Sequence, residues 1–321
     1  MVNHVAYQIW NVADVHSFEW EVSNVWMDIV RWPVSVFVMI SGTLFLSRDI
    51  PLRKIYGKYI FRIFTAFAFW SFIYTLLFFN NEGNFVKSIS HFIWGGGYHF
   101  WFLYMIVGLY MVVPFLKKIA EAESLVKYFL VLSLIFAVVR PEIIDVIMLF
   151  SERAGSFAKN YIDKFELNFA ARFSGYFLLG YILHRSKITP KLEKAIYCMG
   201  IISFILTAPL TSAISKLCGK ASHIFYDNLT LNILCESIAL FVFFKRHIQK
   251  PSAVIRKLAQ YSFGAYLVHL AIIDTVKLCG LHSMAFNPIF SVPVISVIVF
   301  VCSFVISAVL NHIPVLKKYI V

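Results

Sequence analysis

The chain alternates between long apolar runs and short segments rich in Lys and Arg. A helix that crosses a bilayer needs about 20 consecutive, mostly apolar residues. Runs close to that length recur nine times, so the pattern predicts an all-α, polytopic membrane protein with about nine transmembrane helices. The predicted spans are residues 25–47, 60–79, 100–116, 128–150, 170–184, 195–216, 229–245, 258–278 and 289–311.

The positions of the basic residues predict how these spans are oriented. Cytoplasmic loops of membrane proteins carry an excess of Lys and Arg. Of the 29 basic residues, 19 lie in one set of alternate loops and 7 lie in the other set. We therefore place the first set in the cytoplasm, and it comprises residues 48–62, 117–127, 184–194, 245–257 and the tail after 311.

The start of the chain does not fit this alternation. Nine spans would place the N-terminus outside, yet residues 1–24 contain neither a spanning run nor a signal peptide. Ten helices with both ends inside would be the simpler arrangement. We therefore expect residues 1–10, MVNHVAYQIW, to be the outer end of a tenth helix whose body is missing from this sequence.

Composition agrees with a membrane protein and limits its partners. Hydrophobic residues make up 60% of the chain and charged residues 14%, against roughly a quarter charged in soluble domains. The net charge of +12 would suggest nucleic acid in a soluble protein, but here the basic residues lie between apolar spans, so we expect no nucleic-acid partner. The five cysteines show no CxxC spacing, and we expect no metal. Without a linker or repeat, residues 1–321 are predicted to form a single membrane-embedded domain.

Arg31 and two small residues that follow it interrupt the first predicted span. An ionisable group at the centre of a membrane helix costs at least ~2.5–3.5 kcal/mol, so such residues are candidates for function. Arg31 lies on the outer side, where it can contact a ligand or extend to the headgroups. Ser41 and Gly42 allow another helix or a ligand to approach the backbone closely.

Arg140 lies inside a predicted span, beside Pro141 and near Glu142. The proline frees a backbone carbonyl, which the arginine can satisfy, or the arginine can pair with Glu142. Two interpretations remain open at this stage. Arg140 either fixes a kink through a buried ion pair or contacts an anion in a central cavity.

Three histidines, His4, His99 and His269, are predicted at the outer depth of the membrane. Histidine is the general base whose pKa is closest to neutrality. Trp101 follows His99 and is also explained by an interfacial aromatic belt. Tyr266 shares a helical face with His269, and a packed, hydrogen-bonded histidine is the alternative to a functional one. The residues alone do not distinguish an enzyme from a transporter.

Four stretches of the chain carry a resemblance to a known family. They are RWPVSVFVMISGTLFL (31–46), HFWFLYMIVGLYMVVP (99–114), RFSGYFLLGYILHR (172–185) and SFGAYLVHLAIID (262–274). In order and spacing they resemble the motifs of the membrane acyltransferase-3 family, the O-acetyltransferases of bacterial surface polysaccharides. Within it, the WecH-like branch, which O-acetylates enterobacterial common antigen, is the most similar.

The resemblance also bears on the first helix and on the cytoplasmic start of the third helix. Family members carry an arginine and, about ten residues later, a histidine near the outer end of their first helix. His4 resembles that essential histidine, and the absence of the arginine implies a misassigned start or a truncated gene. Many members carry an RxxR pair linked to acyl-CoA. The stretch KYIFR, with Tyr59 at the lost position, leaves Lys58 and Arg62 for that role.

The resemblance implies an O-acyltransferase of the bacterial inner membrane, of EC 2.3.1 type, that modifies polysaccharide. It would move an acyl group, most often acetyl from acetyl-CoA as co-substrate, to a hydroxyl of a cell-surface or lipid-linked glycan. His4 would act as general base or as acyl acceptor in a relay, and Arg31 would stabilise the oxyanion. The substrate pocket would contain Ser41, His99, Trp101, Arg140, Tyr176 and His269.

Two other functions remain compatible with the sequence. The first is a transporter or flippase for a lipid-linked glycan, which also has many helices and buried arginines but uses no acyl-CoA. The second is an inactive remnant, for which a missing first helix would be expected. An acyl-CoA thioester assay separates the first from the enzyme, and the intact mass of the native protein tests the second.

Overall fold

The computed structural model describes residues 1–82, 98–164, 172–250 and 252–321. Within these ranges every regular element is helical, which confirms the predicted all-α class. The first half contains α1 (Val2–Trp10), α2 (Phe18–Ile29), α3 (Pro33–Leu46), α4 (Leu52–Lys54), α5 (Phe61–Glu82), α6 (Trp101–Glu121), α7 (Glu123–Ser133), α8 (Arg140–Phe150) and α9 (Glu152–Asp163). The second half contains α10 (Ser174–Arg185), α11 (Pro190–Cys218), α12 (Leu231–His247), α13 (Ala253–Leu278), α14 (Pro288–His312) and α15 (Pro314–Tyr319).

Five helical stretches in the described ranges are long and apolar enough to cross a membrane, and they are Phe18–Leu46, Leu52–Leu77, Trp101–Glu121, Pro190–Cys218 and Pro288–His312. Each of the other predicted spans also contains helix, although α10 has only 12 residues and α12 has 17. The span predicted to start at residue 170 begins outside the described residues, and its helix starts at Ser174. The count of nine spans therefore stays a prediction.

The first predicted span is two helices rather than one, which corrects its expected start at residue 25. Helix α2 already begins at Phe18, because the Ser17 side chain accepts a hydrogen bond from the backbone N–H of Trp20. It ends at Ile29, and α3 starts at Pro33, whose ring fixes φ and removes a backbone donor. The break places Arg31 between the two helices.

A second irregularity precedes Pro141. Helix α7 runs into a π-helical segment, Leu134–Val139, and α8 continues from Arg140. A proline has no N–H to donate to the preceding turn, and a wide π turn accommodates that loss. Beyond α8, the predicted outer loop 151–172 contains the amphipathic helix α9, whose first turn is capped by Ser151.

Helices α3 and α10 approach each other closely at two glycines. A Cβ atom added to Gly42 would lie 1.8 Å from the carbonyl oxygen of Phe177, and one added to Gly180 would lie 2.1 Å from that of Met39. Only glycine allows this separation, because real Cβ contacts never come so close. The contact fixes the α2–α3 junction against the second half of the chain.

Helix α1 is anchored to α2 by hydrogen bonds from side chain to backbone. The Ser23 hydroxyl donates to the carbonyl oxygen of Ala6 at 2.7 Å, and the Trp20 indole N–H donates to that of Trp10 at 3.1 Å. All four residues are buried. These bonds hold the short helix that carries His4 in one orientation.

Candidate active site

A cavity of about 940 Å³ lies between α1, the α2–α3 junction, α13 and the loop that follows α11. Four of the residues predicted for a functional site line it, namely His4, Arg31, Trp101 and His269. They come from distant parts of the sequence, so only the packing of the helices brings them together. Its wall also contains apolar side chains from α3 and α14, among them Val34 and Phe300.

The three predicted histidines form a row beside this cavity. The ring centroids of His4 and His269 are 5.1 Å apart, and those of His269 and His99 are also 5.1 Å apart. His4 and His269 line the cavity, whereas His99 is buried behind His269. Three separate segments thus contribute one imidazole each to a single cluster.

The position of one ring nitrogen of His269 determines the tautomer of its neutral form. Nδ1 lies 2.5 Å from the carbonyl oxygen of Tyr266. A carbonyl oxygen can only accept, so Nδ1 must carry the proton, and Nε2 of the neutral ring is left able to accept one. The tautomer follows from this hydrogen bond. The neutral ring of His269 can therefore act as a base or accept a hydrogen bond through Nε2.

Two tyrosines hold the segments that contain His99 and His269 in place. The Tyr266 hydroxyl donates to the main-chain carbonyl of His99 at 2.6 Å. The buried Tyr74 hydroxyl, from α5, donates to the carbonyl of Leu267 at 3.0 Å and accepts from the N–H of Ala271 at 3.1 Å. Tyr74 thus forms two hydrogen bonds to the turn of α13 that contains His269.

Arg31 is held against the cavity wall by an aromatic ring. Its guanidinium carbon lies 4.6 Å from the centroid of the Tyr226 ring, a cation–π distance. In the part of the chain that the structure describes, no carboxylate forms an ion pair with it, and its buried Nε has no hydrogen-bond partner. The N-terminus of α3 adds a positive dipole end next to it. This corner of the cavity favours a negative charge.

The ring under Arg31 is fixed by a buried asparagine. The Tyr226 hydroxyl donates to Asn24, with its backbone oxygen at 2.7 Å and its side-chain oxygen at 2.6 Å. The Asn24 amide in turn donates to the carbonyl of Ala208 at 2.9 Å. The loop after α11 is therefore tied to α2, and the position of Arg31 does not depend on its own flexible side chain alone.

Besides His99, which is buried behind His269, three residues predicted for the pocket lie outside this cavity. Ser41 is buried in α3 one residue before the close contact with α10. Tyr176 lines a separate cavity of about 200 Å³, and its hydroxyl donates to the carbonyl of Asn228 at 2.9 Å. Arg140 lines a second cavity, of about 530 Å³. Ser41 and Tyr176 thus act on the described cavity only through packing and through the loop at Asn228.

Arg140 forms an ion pair, but with a partner that the sequence did not indicate. Its guanidinium pairs with the carboxylate of Asp163 at the end of α9. Glu142, the expected partner, instead accepts a hydrogen bond from the backbone N–H of Leu231 at 3.2 Å. Glu142 therefore caps the first turn of α12, and Arg140 joins α8 to α9.

Of the two residues predicted to contact acyl-CoA, Lys58 lies in the π-helical segment Ile55–Ile60 that precedes α5, and Arg62 lies in the first turn of α5. Lys58 is exposed, and Arg62 is half-buried and donates to the carbonyl oxygen of Val321. An α-helix rises 1.5 Å per residue, so Arg62 and Tyr74 are about 18 Å apart along α5. Lys58 and Arg62 therefore do not belong to the histidine cluster.

Sequence reasoning missed three residues of the cavity wall, Arg172, Tyr226 and Asp227. Arg172 begins the motif at residues 172–185, but the sequence indicates for it only a basic residue at the end of the outer loop 151–172. Tyr226 and Asp227 lie in a short polar loop with no pattern of its own. The only available signal was that a tyrosine–aspartate pair in an outer loop, YDN, precedes an apolar run.

The profile of the acyltransferase-3 family, described as an acyltransferase domain, matches residues 1–312. No curated protein and no solved structure matches the chain. The WecH-like branch stays a prediction. Because the family match runs from the start of α1 to the end of α14, the chain belongs to the acyltransferase-3 family of multi-pass membrane acyltransferases.

Proposed function

We propose that this membrane acyltransferase moves an acyl group, acetyl in the first instance, from acyl-CoA to a hydroxyl of a cell-surface or lipid-linked glycan. The observation that carries the proposal is the pairing of a histidine with an arginine in one cavity. Arg31 has no ion pair among the described residues, and His4 lines the same space. Acyl transfer needs a base and an oxyanion-stabilising cation, and a flippase needs neither.

The proposed reaction uses these two groups in sequence. The acceptor hydroxyl oxygen attacks the thioester carbonyl carbon while its proton passes to His4. The carbonyl oxygen becomes an oxyanion, which Arg31 and the N-terminus of α3 stabilise. The C–S bond then breaks, and the CoA thiolate leaves with the proton from His4. The products are the acylated hydroxyl and CoA thiol, and no external reductant or metal enters this balance.

The donor is proposed to approach from the cytoplasmic side. Lys58 is exposed beside the basic residues Arg53 and Lys54, and such side chains can contact the phosphates of CoA as point charges. Arg62 belongs to the same end of α5. Part of the second predicted basic loop, residue 251, lies outside the described residues. We further propose the bacterial cytoplasmic membrane as the location and acetylation of an envelope polysaccharide, as in the WecH-like branch, as the outcome.

The test is transfer of labelled acetyl from acetyl-CoA into envelope glycan by cells that express the protein from its own gene. We expect wild type to incorporate label and His4→Ala and Arg31→Gln to lose it. Removal of one oxyanion donor typically lowers kcat by about 10²–10³-fold, and removal of a general base by about 10²–10⁴-fold.

The matched control is His16→Ala, because His16 is an exposed histidine in the loop between α1 and α2. This variant should incorporate as much label as wild type. Equal incorporation by wild type and His4→Ala would remove His4 from the mechanism. Absence of label in wild type would count against acetyl-CoA as the donor.

A further inference from the structure

A second cavity, of about 530 Å³, lies directly beside the cavity that contains His4 and Arg31. It is formed by α8, α9 and the loop at residues 227–230. Arg172, Asp227 and Leu229 line both cavities, so they form the wall between them. The predicted orientation places this cavity at the outer side of the protein, where the acceptor is proposed to bind.

The charged groups around the second cavity are nearly balanced in sign. Several are already engaged within the protein: Arg140 pairs with Asp163, Glu142 caps α12 and Asp227 accepts from the N–H of Leu229 at 2.9 Å. Three other side chains form no ion pair and no hydrogen bond within the described part of the chain, and they belong to Asp145, Lys159 and Arg172. One carboxylate and two cations are thus available to a ligand.

This mixture indicates the chemical class of that ligand. A site for a strongly charged group concentrates one sign of charge, whereas this cavity is lined by both signs. Charged side chains make strong hydrogen bonds with hydroxyls, and a carboxylate accepts while an arginine or lysine donates. Phe136, Ile144 and Met148 supply an apolar side. A sugar ring has both properties, hydroxyl edges and apolar faces.

The shared wall gives such a ligand a route to the reacting groups. Asp227 follows Tyr226, whose ring lies under the Arg31 guanidinium. Arg172, at the N-terminal side of α10, faces both spaces. A glycan with one sugar in the second cavity can therefore extend past these residues and place a hydroxyl near His4.

We propose that the second cavity binds a neutral, hydroxyl-rich sugar of the acceptor through Asp145, Lys159 and Arg172. The proposal rests on the proposed function, because only a hydroxyl acceptor needs this position beside His4. It makes these three residues determinants of acceptor affinity and leaves the chemistry to the first cavity.

The first test measures binding without catalysis. The full chain in detergent is acetylated with an amine-reactive reagent, and the labelling rate of each lysine is followed by mass spectrometry. A neutral oligosaccharide of N-acetylglucosamine, at twice its Kd, should slow the acetylation of Lys159 about threefold. Lys127, exposed and paired with Glu123 on α7, is the matched control and should not change. The proposal would be overturned if the labelling rate of Lys159 did not change. It would also be overturned if only an oligosaccharide of glucuronic acid protected Lys159.

The second test separates acceptor binding from donor use. Asp145→Asn and Lys159→Gln are compared with Glu123→Gln and Lys127→Gln in membrane vesicles that contain the native glycan. We expect the first two to lose transfer of labelled acetyl to glycan by about tenfold, equal to 1.4 kcal/mol. Release of CoA thiol into water should stay at the wild-type rate, and excess glycan should restore transfer.

Equal transfer by all four variants would overturn the proposed sugar site. Parallel loss of thiol release would also overturn it, because the residues would then act in the first cavity. If wild type releases no thiol, the proposed function fails instead, and the lysine protection experiment still decides whether the cavity binds sugar.

Discussion

At the scale of single residues, the site depends on side chains that orient other side chains. His269 owes its tautomer to the carbonyl of Tyr266, and Arg31 owes its position to the ring of Tyr226. Tyr74 adds a contact from another helix, since its hydroxyl bridges Leu267 and Ala271 on either side of His269. Neighbouring tyrosines thus set the geometry of the residues proposed for the reaction.

Tyr74→Phe tests this dependence because it removes one hydroxyl and keeps the ring. The loss of two buried hydrogen bonds costs about 1–3 kcal/mol. Because these bonds hold the turn that contains His269, we expect the rate of acetyl transfer to fall about tenfold or more. The measurement is the rate of acetyl transfer over a range of pH, because a mispositioned base also changes the pH profile. Tyr104→Phe, at an exposed tyrosine of α6, should retain the wild-type rate and profile. A Tyr74→Phe protein with an unchanged profile would show that Tyr74 does not position His269.

At the scale of helices, breaks and close approaches place the functional residues. The α2–α3 break before Pro33 places Arg31 between two helices of the candidate span Phe18–Leu46. The close contact of α3 with α10 then fixes the position of α3, and Gly42 and Gly180 are the residues that permit it. Gly42 therefore serves helix packing, one of the two interpretations that the sequence left open, and the pocket role of Ser41 stays a prediction.

Gly42→Ala is expected to destabilise the protein, because the new methyl would overlap the carbonyl oxygen of Phe177. Overpacking of this kind costs about 1–3 kcal/mol. The measurement is the midpoint of thermal unfolding in detergent. Gly108→Ala, on α6, has nothing within 4 Å of the added Cβ and should be neutral or stabilising, since Ala is the better helix former. Equal midpoints for the two variants would contradict the tight α3–α10 contact.

At the scale of the whole molecule, the residues proposed to contact the donor do not line the cavity that contains His4 and Arg31. Arg62 lies about 18 Å along α5 from Tyr74, so the residues proposed for the donor are at a different depth from the histidine cluster. Helix α11, with 29 residues, is about 43 Å long and extends from one predicted side to the other. This arrangement fits a reaction that joins a cytoplasmic donor to an outer acceptor.

The predicted orientation can be measured with native cysteines. Cys218 and Cys279 are exposed at the ends of α11 and α13, in loops predicted to lie outside. In proteins that retain one of them, we expect a membrane-impermeant maleimide to label intact cells. Arg53→Cys, in a background without other cysteines, should react only after the membrane is opened. The reverse labelling pattern would overturn the orientation derived from the basic loops.

The sequence by itself determined the helical class, the membrane character and the family, because apolar run length, basic loops and four ordered motifs are local properties of the chain. It also singled out His4, Arg31, Trp101 and His269, since polar groups are costly in a membrane. Only the tertiary structure decided which of these polar residues share a cavity. It paired Arg140 with Asp163, buried Ser41 outside the cavity and brought Tyr226 under Arg31. The reason is physical: helix–helix packing brings together residues that are remote in the chain, and neither hydropathy nor spacing encodes which helices will meet.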